Sequence, residues 1–408
     1  MKRIKSLFIL LGLSISLSVY AEPIIVKIGS AAPKTGGIAH LGIDNENGVR
    51  LAIEDINAKG DLVISGQKVV LQLVGEDDQG EPKMGPVVAQ KLVDEGVVAV
   101  VGHLNSGVSI PANEVYAHAG MIQISPSSTN PVYTTENNLT PKGHISGYRL
   151  VAHDGLNSQA LANFILKNTK IRNIILLGDS TGYGKKGVDE LKRYFEGTRV
   201  NVLAHQSETD KVNDFVSILQ NTPYRQADAV FWGGMADDVV NLAEAMKRLG
   251  MSVPIVGLDA IYTDFYSIED KKLLNGAYAV YSGFGFGALS ESGMGLKDLP
   301  RGQWFIQHYE HFFNGLKVQI YSPYAYDAIY AIVEAMKIAN SVDREAIAAS
   351  MSKVDFQGVT GRVRFDIRGD IVSGLMSVVQ LRNGQWVTVD TQRLDSDPNR
   401  AYSWGNLE

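Results

Sequence analysis

Residues 99–131 read AVVGHLNSGVSIPANEVYAHAGMIQISPSSTNP. Within one βαβ unit this stretch places two hydroxyl-rich turns, each directly after a short apolar strand. The strand VVAVV (Val97 to Val101) ends at Gly102, and the turn HLNSG leads toward a helix expected near Ser109. Pro111 fits the first turn of that helix, where its missing N–H costs nothing. The next strand, MIQI (Met121 to Ile124), stops at SPSSTNP, whose prolines and hydroxyls continue neither a strand nor a helix. In open α/β sheets ligands bind at the carboxyl ends of strands, often against helix N-termini that favour an anionic group. The stretch therefore points to a site for a small polar solute, with a carboxylate-bearing metabolite as the first expectation.

Outward from this unit the chain alternates strands and helices, the signature of a parallel sheet covered on both faces. Strand VKIGSA precedes a helix whose Val49, Ala52, Ile53 and Ile56 recur at one-face spacing and which stops at Gly60. Strand KVVLQLV ends in the acidic turn EDDQGEP, and the helix PVVAQKLVDEG follows. A second βα series opens after Tyr148, with strand NIILL, the loop GDSTGYG, strand VNVLAH, strand ADAVFWGG, helix DDVVNLAEAMKRLG and strand VPIVGLDA. Two series of similar make-up without sequence repeat suggest two lobes with a cleft between them. The glycine-rich stretch from Tyr281 to Gly295 separates the second series from a segment that reads as helix-rich.

The ends and the composition narrow the function classes. MKRIK is basic, Leu7 to Val19 is apolar with serines, and Val19-Tyr20-Ala21 has a small residue at the cleavage position, which together read as a secretory signal peptide cut after Ala21. An uncleaved anchor is disfavoured because the apolar core is short for a bilayer, which needs roughly 18 apolar residues. Removing 21 of 408 residues leaves 387, and loss of Lys2, Arg3 and Lys5 takes the net charge from −6 to −9. An acidic chain with no basic block is a poor nucleic-acid binder. With no cysteine, disulfides, thiolate metal sites and cysteine catalysis are excluded. His308 and His311 could share a helix face, but no third metal ligand accompanies them. No metal and no cofactor are expected.

GHLNSG and ISPSSTNP, with KTGGIAHLG and VRLAIEDINAKG upstream and GDSTGYG, FWGG and VGLDA downstream, resemble the periplasmic leucine/isoleucine/valine-binding proteins of ABC importers. The resemblance runs in order over most of the chain, strongest between residues 25 and 260. It implies a type I periplasmic-binding-protein fold: two Rossmann-like lobes joined by three crossovers, the first made of 22–147 and 280–357, the second of 148–279 and 358–408. Carried over position by position, it puts Ser106 on the α-carboxylate of an amino acid. It places Ser127 and Thr129 where a backbone carbonyl and a threonine hydroxyl meet the ammonium and carboxylate. Tyr183 would line the second-lobe side and Asp259 would pair with the ammonium. Two departures concern the side-chain pocket, Leu41 and Met235 standing where relatives carry rings, and Asp259 is one methylene shorter than the usual glutamate. Gln79 and Asn105 occupy positions of a disulfide in close relatives. The implied partners are a small amino acid and an inner-membrane ABC permease, with the protein a periplasmic monomer.

The chemistry of these residue types supports the same reading. A zwitterion in a cleft needs donors for its carboxylate and acceptors for its ammonium, since a buried charge without partners is costly. Ser106, Thr129, helix-terminal N–H groups and Asp259 supply both sets. Singly, each also reads as an ordinary turn former, cap or loop acid. Two enzyme readings compete. GDSTG fits a nucleophile elbow with Ser180, Asp259 and His308 in the required order, but no HGGG-type oxyanion motif accompanies it. GYGKKG fits a dinucleotide fingerprint, but its glycines begin well past the strand end. A ligand sensor for a chemoreceptor or kinase ectodomain would use the same cleft and the same closure.

Overall fold

A computed structural model describes residues 22–136, 138–209, 214–263, 266–283, 289–290, 296, 299 and 301–395. The expected leader and most of the glycine-rich stretch after Gly283 lie outside the described residues. Among the described residues no helix is long and apolar enough to cross a membrane.

The first sheet holds β1 (Ile24–Ala32), β2 (Val63–Ile64), β3 (Gln67–Asp77), β4 (Ala99–Gly102), β5 (Ile122–Ser125) and β6 (Gly147–Arg149), in the order β2-β3-β1-β4-β5-β6. Apart from the β2–β3 hairpin every pairing is parallel. Parallel strands need helical crossovers, which bury both faces. They are α1 (Ala39–Lys59), α2 (Met84–Asp94), α3 (Ser106–His118) and the short α4 (Val132–Thr135). The stripe Val49, Ala52, Ile53, Ile56 of α1 is buried as its spacing predicts, and α2 and α3 pack together over the opposite face around Val88, Leu92 and Tyr116.

The second sheet begins with α5 (Asp154–Asn168) and β7 (Asn173–Asp179), then α6 (Gly182–Phe195), β8 (Asn201–Thr209), α7 (Phe215–Gln220), β9 (Ala229–Gly233), α8 (Ala236–Arg248), β10 (Ile255–Gly257), α9 (Ile268–Leu273) and β11 (Tyr278–Ser282). The strands β11-β10-β9-β7-β8 run parallel. One apolar cluster fills the face under α5 and α6, with Leu161, Ile165, Val188 and Leu191. After the short β12 (Leu289–Ser290), the helices α10 (Gly302–Phe312), α11 (Ser322–Ala339) and α12 (Arg344–Ser350) return to the first sheet, α11 lying along α1. A small hairpin, β13 (Asp355–Gln357) and β14 (Arg362–Arg364), leads to β15 (Ser373–Arg382) and β16 (Gln385–Asp395), which extend the second sheet antiparallel beside β11.

The fold is therefore α/β, with two doubly covered sheets and chain passages between them after β6, after β12 and after β14. The boundaries expected at 147/148 and 279/280 fall inside β6 and β11, each of which lies whole in one sheet. Two expectations need correction. Helix α3 starts at Ser106 rather than near Ser109, so Pro111 sits in its second turn and removes one bond of the ladder. The segment after Gly295 is helix-rich only to Ser350, and among the described residues from Asp355 to Asp395 its regular elements are the strands β13 to β16.

Candidate functional site

Both hydroxyl-rich turns lie at the carboxyl edge of the first sheet, and their hydroxyls join the two turns to each other. Ser125 Oγ donates to the His103 carbonyl at 2.9 Å, and Ser127 Oγ donates to the Leu104 carbonyl at 2.9 Å. The hydroxyls of Ser109 and Ser128 meet at 2.6 Å. Below them the buried His103 ring bridges Asp78, 2.6 Å from Nδ1, and the Tyr116 hydroxyl, 3.0 Å from Nε2. Ser106, the first residue of α3, accepts from the Asn130 N–H at 3.2 Å, which leaves its own proton free to point elsewhere. Asn105 ahead of it is extended and no side chain caps the helix. The first N–H groups of α3 are thus left without a side-chain cap at the positive end of the helix dipole.

The second sheet contributes its own strand ends. Thr181 caps α6 by accepting from the Gly184 N–H at 2.9 Å, and Asp179 joins this loop to the next by accepting from the N–H groups of Thr181 and Met235. The last glycine of GDSTGYG has a packing reason: a Cβ on Gly184 would lie 2.1 Å from Asp179 Oδ1 and 2.2 Å from the Gly233 carbonyl. Likewise a Cβ on Gly187 would strike Leu258 at 2.4 Å. Two of the fingerprint glycines, Gly184 and Gly187, thus let α6 approach the sheet.

Between the two edges lies a small, nearly closed cavity, with about 20 Å³ open to the centre of a water molecule, lined by Leu41, Leu104, Asn105, Ser106, Ser127, Tyr183, Met235, Asp259, Ala260 and Tyr321. Six of the seven residues expected from the sequence, Leu41, Ser106, Ser127, Tyr183, Met235 and Asp259, thus face one space. Thr129 stands behind it, buried, with a hydroxyl that has no hydrogen-bond partner. A larger hollow between α8 and α9, lined by Met246, Lys247, Lys272 and Leu274 among others, has none of the buried polar groups described here.

Asp259 is 2% exposed, and each of its oxygens accepts one tyrosine hydroxyl: Oδ1 from Tyr183 at 2.9 Å, Oδ2 from Tyr321 at 3.2 Å. Burial pushes its carboxyl up to about 6, and the two hydroxyls hold it from going further. Asp154, the first residue of α5, is fully buried and neither of its carboxyl oxygens has a hydrogen-bond partner. Burial and then the charge of Asp259 push it up to about 8, with the Thr129 hydroxyl beside it but off good bonding geometry. No lysine or arginine lines the cavity. The arrangement places the Asp259 carboxylate on one side and uncapped helix N–H groups on the other, with Asp154 close enough to feel the charge of Asp259 and itself mostly protonated at pH 7.

Contacts across the cleft close the site. Asn130 Nδ2 donates to the Gly182 carbonyl at 2.8 Å, and the Tyr321–Asp259 bond joins the start of α11 to the end of β10. The hydrolase constellation is not assembled. Asp259 is held by two tyrosines, His308 Nε2 lies 2.8 Å from Asp55 with its ring stacked on Trp304, and Ser180 is exposed.

Asp154 and Tyr321 are the additions that motif reading does not supply. An acid in the first turn of a helix reads as a dipole partner, and Tyr321 follows the part of the chain with the weakest motif content. Asn105 and Ala260 stand inside quoted motifs, as neighbours of Ser106 and Asp259. Asn105 also stands close to the Gln79 turn, its Oδ1 lying 3.3 Å from where a Cβ on Gly80 would be.

A family model of periplasmic binding proteins matches residues 25–385. A Leu/Ile/Val-binding protein homolog of Brucella abortus is 28% identical over 346 residues, covering 85% of this chain and 87% of that protein. An amino acid binding protein of Pseudomonas aeruginosa is 29% identical with the same coverage. Among solved structures, the branched-chain amino acid substrate-binding protein LivJ of Streptococcus pneumoniae, in complex with isoleucine, superposes with a TM-score of 0.74 at 22% identity, covering 91% of this chain and all of that one. A solute-binding protein of Rhodopseudomonas palustris in complex with benzoate superposes equally well at 19% identity, covering 91% and 98%. These similarities establish the type I periplasmic-binding fold.

Proposed function

The chain belongs to the leucine/isoleucine/valine-binding branch of the periplasmic binding proteins, a family of solute-binding proteins rather than enzymes, and from that premise we propose that it captures a small α-amino acid between its two lobes. The observation that carries the proposal is the pair of buried acids, Asp154 and Asp259, with no basic side chain lining the cavity, opposite the uncapped start of α3. An ammonium satisfies the acids. A carboxylate takes the Ser106 hydroxyl and the helix N–H groups. An aromatic acid such as benzoate lacks the ammonium and would set a second negative charge beside Asp259 with no cation to offset either, so a zwitterion is the better fit.

In this reading the first lobe comprises the first sheet with α10 to α12 and the β13–β14 hairpin, and the second lobe comprises the second sheet with its helices. The ligand binds first to Ser106, Thr129 and the carbonyl edge of the SPSST turn. Rotation about the crossovers then brings Tyr183, Met235 and Asp259 onto it. Leu41, Leu104 and Met235 surround an aliphatic side chain, the thioether of Met235 adapting to its shape. The ligand favours closure only through its greater affinity for the closed form. The closed form is then presented to an ABC permease of the inner membrane after export to the periplasm as a monomer.

The test is a thermal-shift screen of the ligand-stripped protein against the twenty amino acids, their amides and small carboxylates. A ligand bound only to the native state adds about 2.7 kcal/mol at a hundred times its Kd, a shift of several degrees. Response to an unrelated solute with silence from every amino acid refutes the proposal and leaves the fold untouched.

A further inference from the structure

The largest buried cation of the first lobe stands behind the ligand loop rather than in the cavity. Arg149 ends β6, where the chain leaves the first sheet for the second, and its side chain is fully buried. The guanidinium is shared between two elements. Its Nη1 donates to the carbonyls of Ser128 at 3.1 Å and Asn130 at 2.9 Å, and its Nη2 reaches the Pro131 carbonyl and the Thr134 hydroxyl. Its Nε donates to Asp370 Oδ1 at 2.5 Å. Asp370 lies between β14 and β15, in another passage from one sheet to the other, and is 2% exposed. Thr134 completes the ring by donating to Asp370 at 2.9 Å. The same two passages also meet backbone to backbone: the Arg149 N–H donates to the Gly369 carbonyl at 3.0 Å, and a Cβ on Gly369 would lie 2.3 Å from the Gly147 carbonyl.

Carbonyls pointing inward are what an SPSSTNP turn cannot satisfy for itself, because its prolines lack N–H groups and its serine hydroxyls are committed to the neighbouring turn. A planar fork with five donors meets three such carbonyls and a carboxylate together, which a lysine cannot do. A buried ion pair contributes little net stability, so geometry is the better reason for one here.

We propose that Arg149, anchored by Asp370, is the positioning residue of the ligand loop, holding Ser127 and Thr129 in register with two of the passages about which the lobes rotate. This rests on the amino-acid reading of the cleft for its binding consequences, though loop order can be read without any ligand.

The experiment compares Arg149→Lys, Asp370→Asn and Thr134→Val with the wild type, using hydrogen exchange of the ligand-free proteins and calorimetry with the amino acid that shifts the wild type most in the screen. Thr134→Val, which removes one hydroxyl, serves if either of the others does not fold. Exchange at residues 127–130 should quicken about ten-fold or more while β7 and β9 keep wild-type protection. Affinity should fall about 10- to 100-fold, as expected when binding groups are displaced by about an ångström, and lysine should not rescue it. Folded variants with wild-type exchange in the loop, or with exchange quickened equally in both sheets, overturn the inference. So does affinity within two-fold of wild type despite a loosened loop. If the wild type binds no amino acid, the amino-acid reading fails and the exchange comparison alone decides the role of Arg149 in ordering the loop.

Discussion

Replacing Asp259 by asparagine keeps the shape of the side chain and removes its charge. In the structure the carboxylate is buried, accepts one hydroxyl on each oxygen and has no cationic side chain along the cavity wall. If the ammonium of an amino acid is its missing counter-charge, losing one partner of this buried pair should cost about 2–5 kcal/mol, or roughly thirty-fold to several thousand-fold in affinity. Asp154 remains nearby, which places the expectation toward the lower half of that range. The pH dependence gives a second reading of the same group. With its carboxyl raised to about 6 in the unliganded cavity, Asp259 is mostly ionised at pH 7 and takes up a proton as the pH falls through 6, so affinity for an ammonium ligand should fall up to about ten-fold per unit below that point. The asparagine variant should lose that part of the pH profile. Calorimetry between pH 5 and pH 8 on both proteins measures this, with the des-amino analogue of the ligand as control. A loss under two-fold, or equal losses for the amino acid and the analogue, would mean that Asp259 only holds Tyr183 and Tyr321 in place, and the charge argument would be wrong.

Asp154 is raised to about 8 by burial and by Asp259, and a carboxyl raised in the folded state costs stability as the pH climbs from its unfolded value toward its folded one. The ligand-free protein should therefore melt higher at pH 5.5 than at pH 8, and Asp154→Asn should flatten that difference while weakening the amino acid; a wild-type melting temperature independent of pH across this range contradicts it. Binding at pH 7 should also release a proton from Asp154, read as a dependence of the calorimetric heat on the buffer's ionisation enthalpy. Asn130→Asp keeps the oxygen that accepts from Val132 and removes the donor to the Gly182 carbonyl; it should weaken binding by about 1–2 kcal/mol, roughly 5- to 30-fold, through faster release, and an unchanged release rate would show that this contact does not hold the cleft shut. Ser180→Ala should leave affinity within a few-fold with no ester or amide turnover in either protein, and hydrolysis abolished by the substitution would restore the nucleophile reading.

Much of the cavity wall was legible because its residues follow directly on strand ends. GHLNSG and SPSST each occupy one βα turn, and GLDA follows one β10 strand, so hydroxyls and an acid in those turns are delivered to the sheet edge by the topology alone. The β15–β16 hairpin was equally legible in principle. Asn383 and Gly384 both adopt positive φ, 52° and 80°, between the strands β15 and β16, the signature of a two-residue hairpin turn, and an Asn-Gly pair is the strongest local sign of it. The early start of α3 was hidden by Pro111, whose preference for a first turn yields to the packing of α3 against α2.

The sequence by itself determined that the chain alternates strand and helix, that a leader is expected, and that the strand ends carry hydroxyls, an acid and a tyrosine suited to a zwitterion. Those are properties of local pattern, and local pattern sets both the period of an element and the chemistry of the turn that follows it. Only the tertiary structure decided that Asp154 is stripped of water and partners, that Tyr321 reaches across from the start of α11 to Asp259, and that Arg149 meets Asp370. Asp370 is 221 residues along the chain from Arg149, and the burial and pairing of a charge depend on which distant segments enclose it.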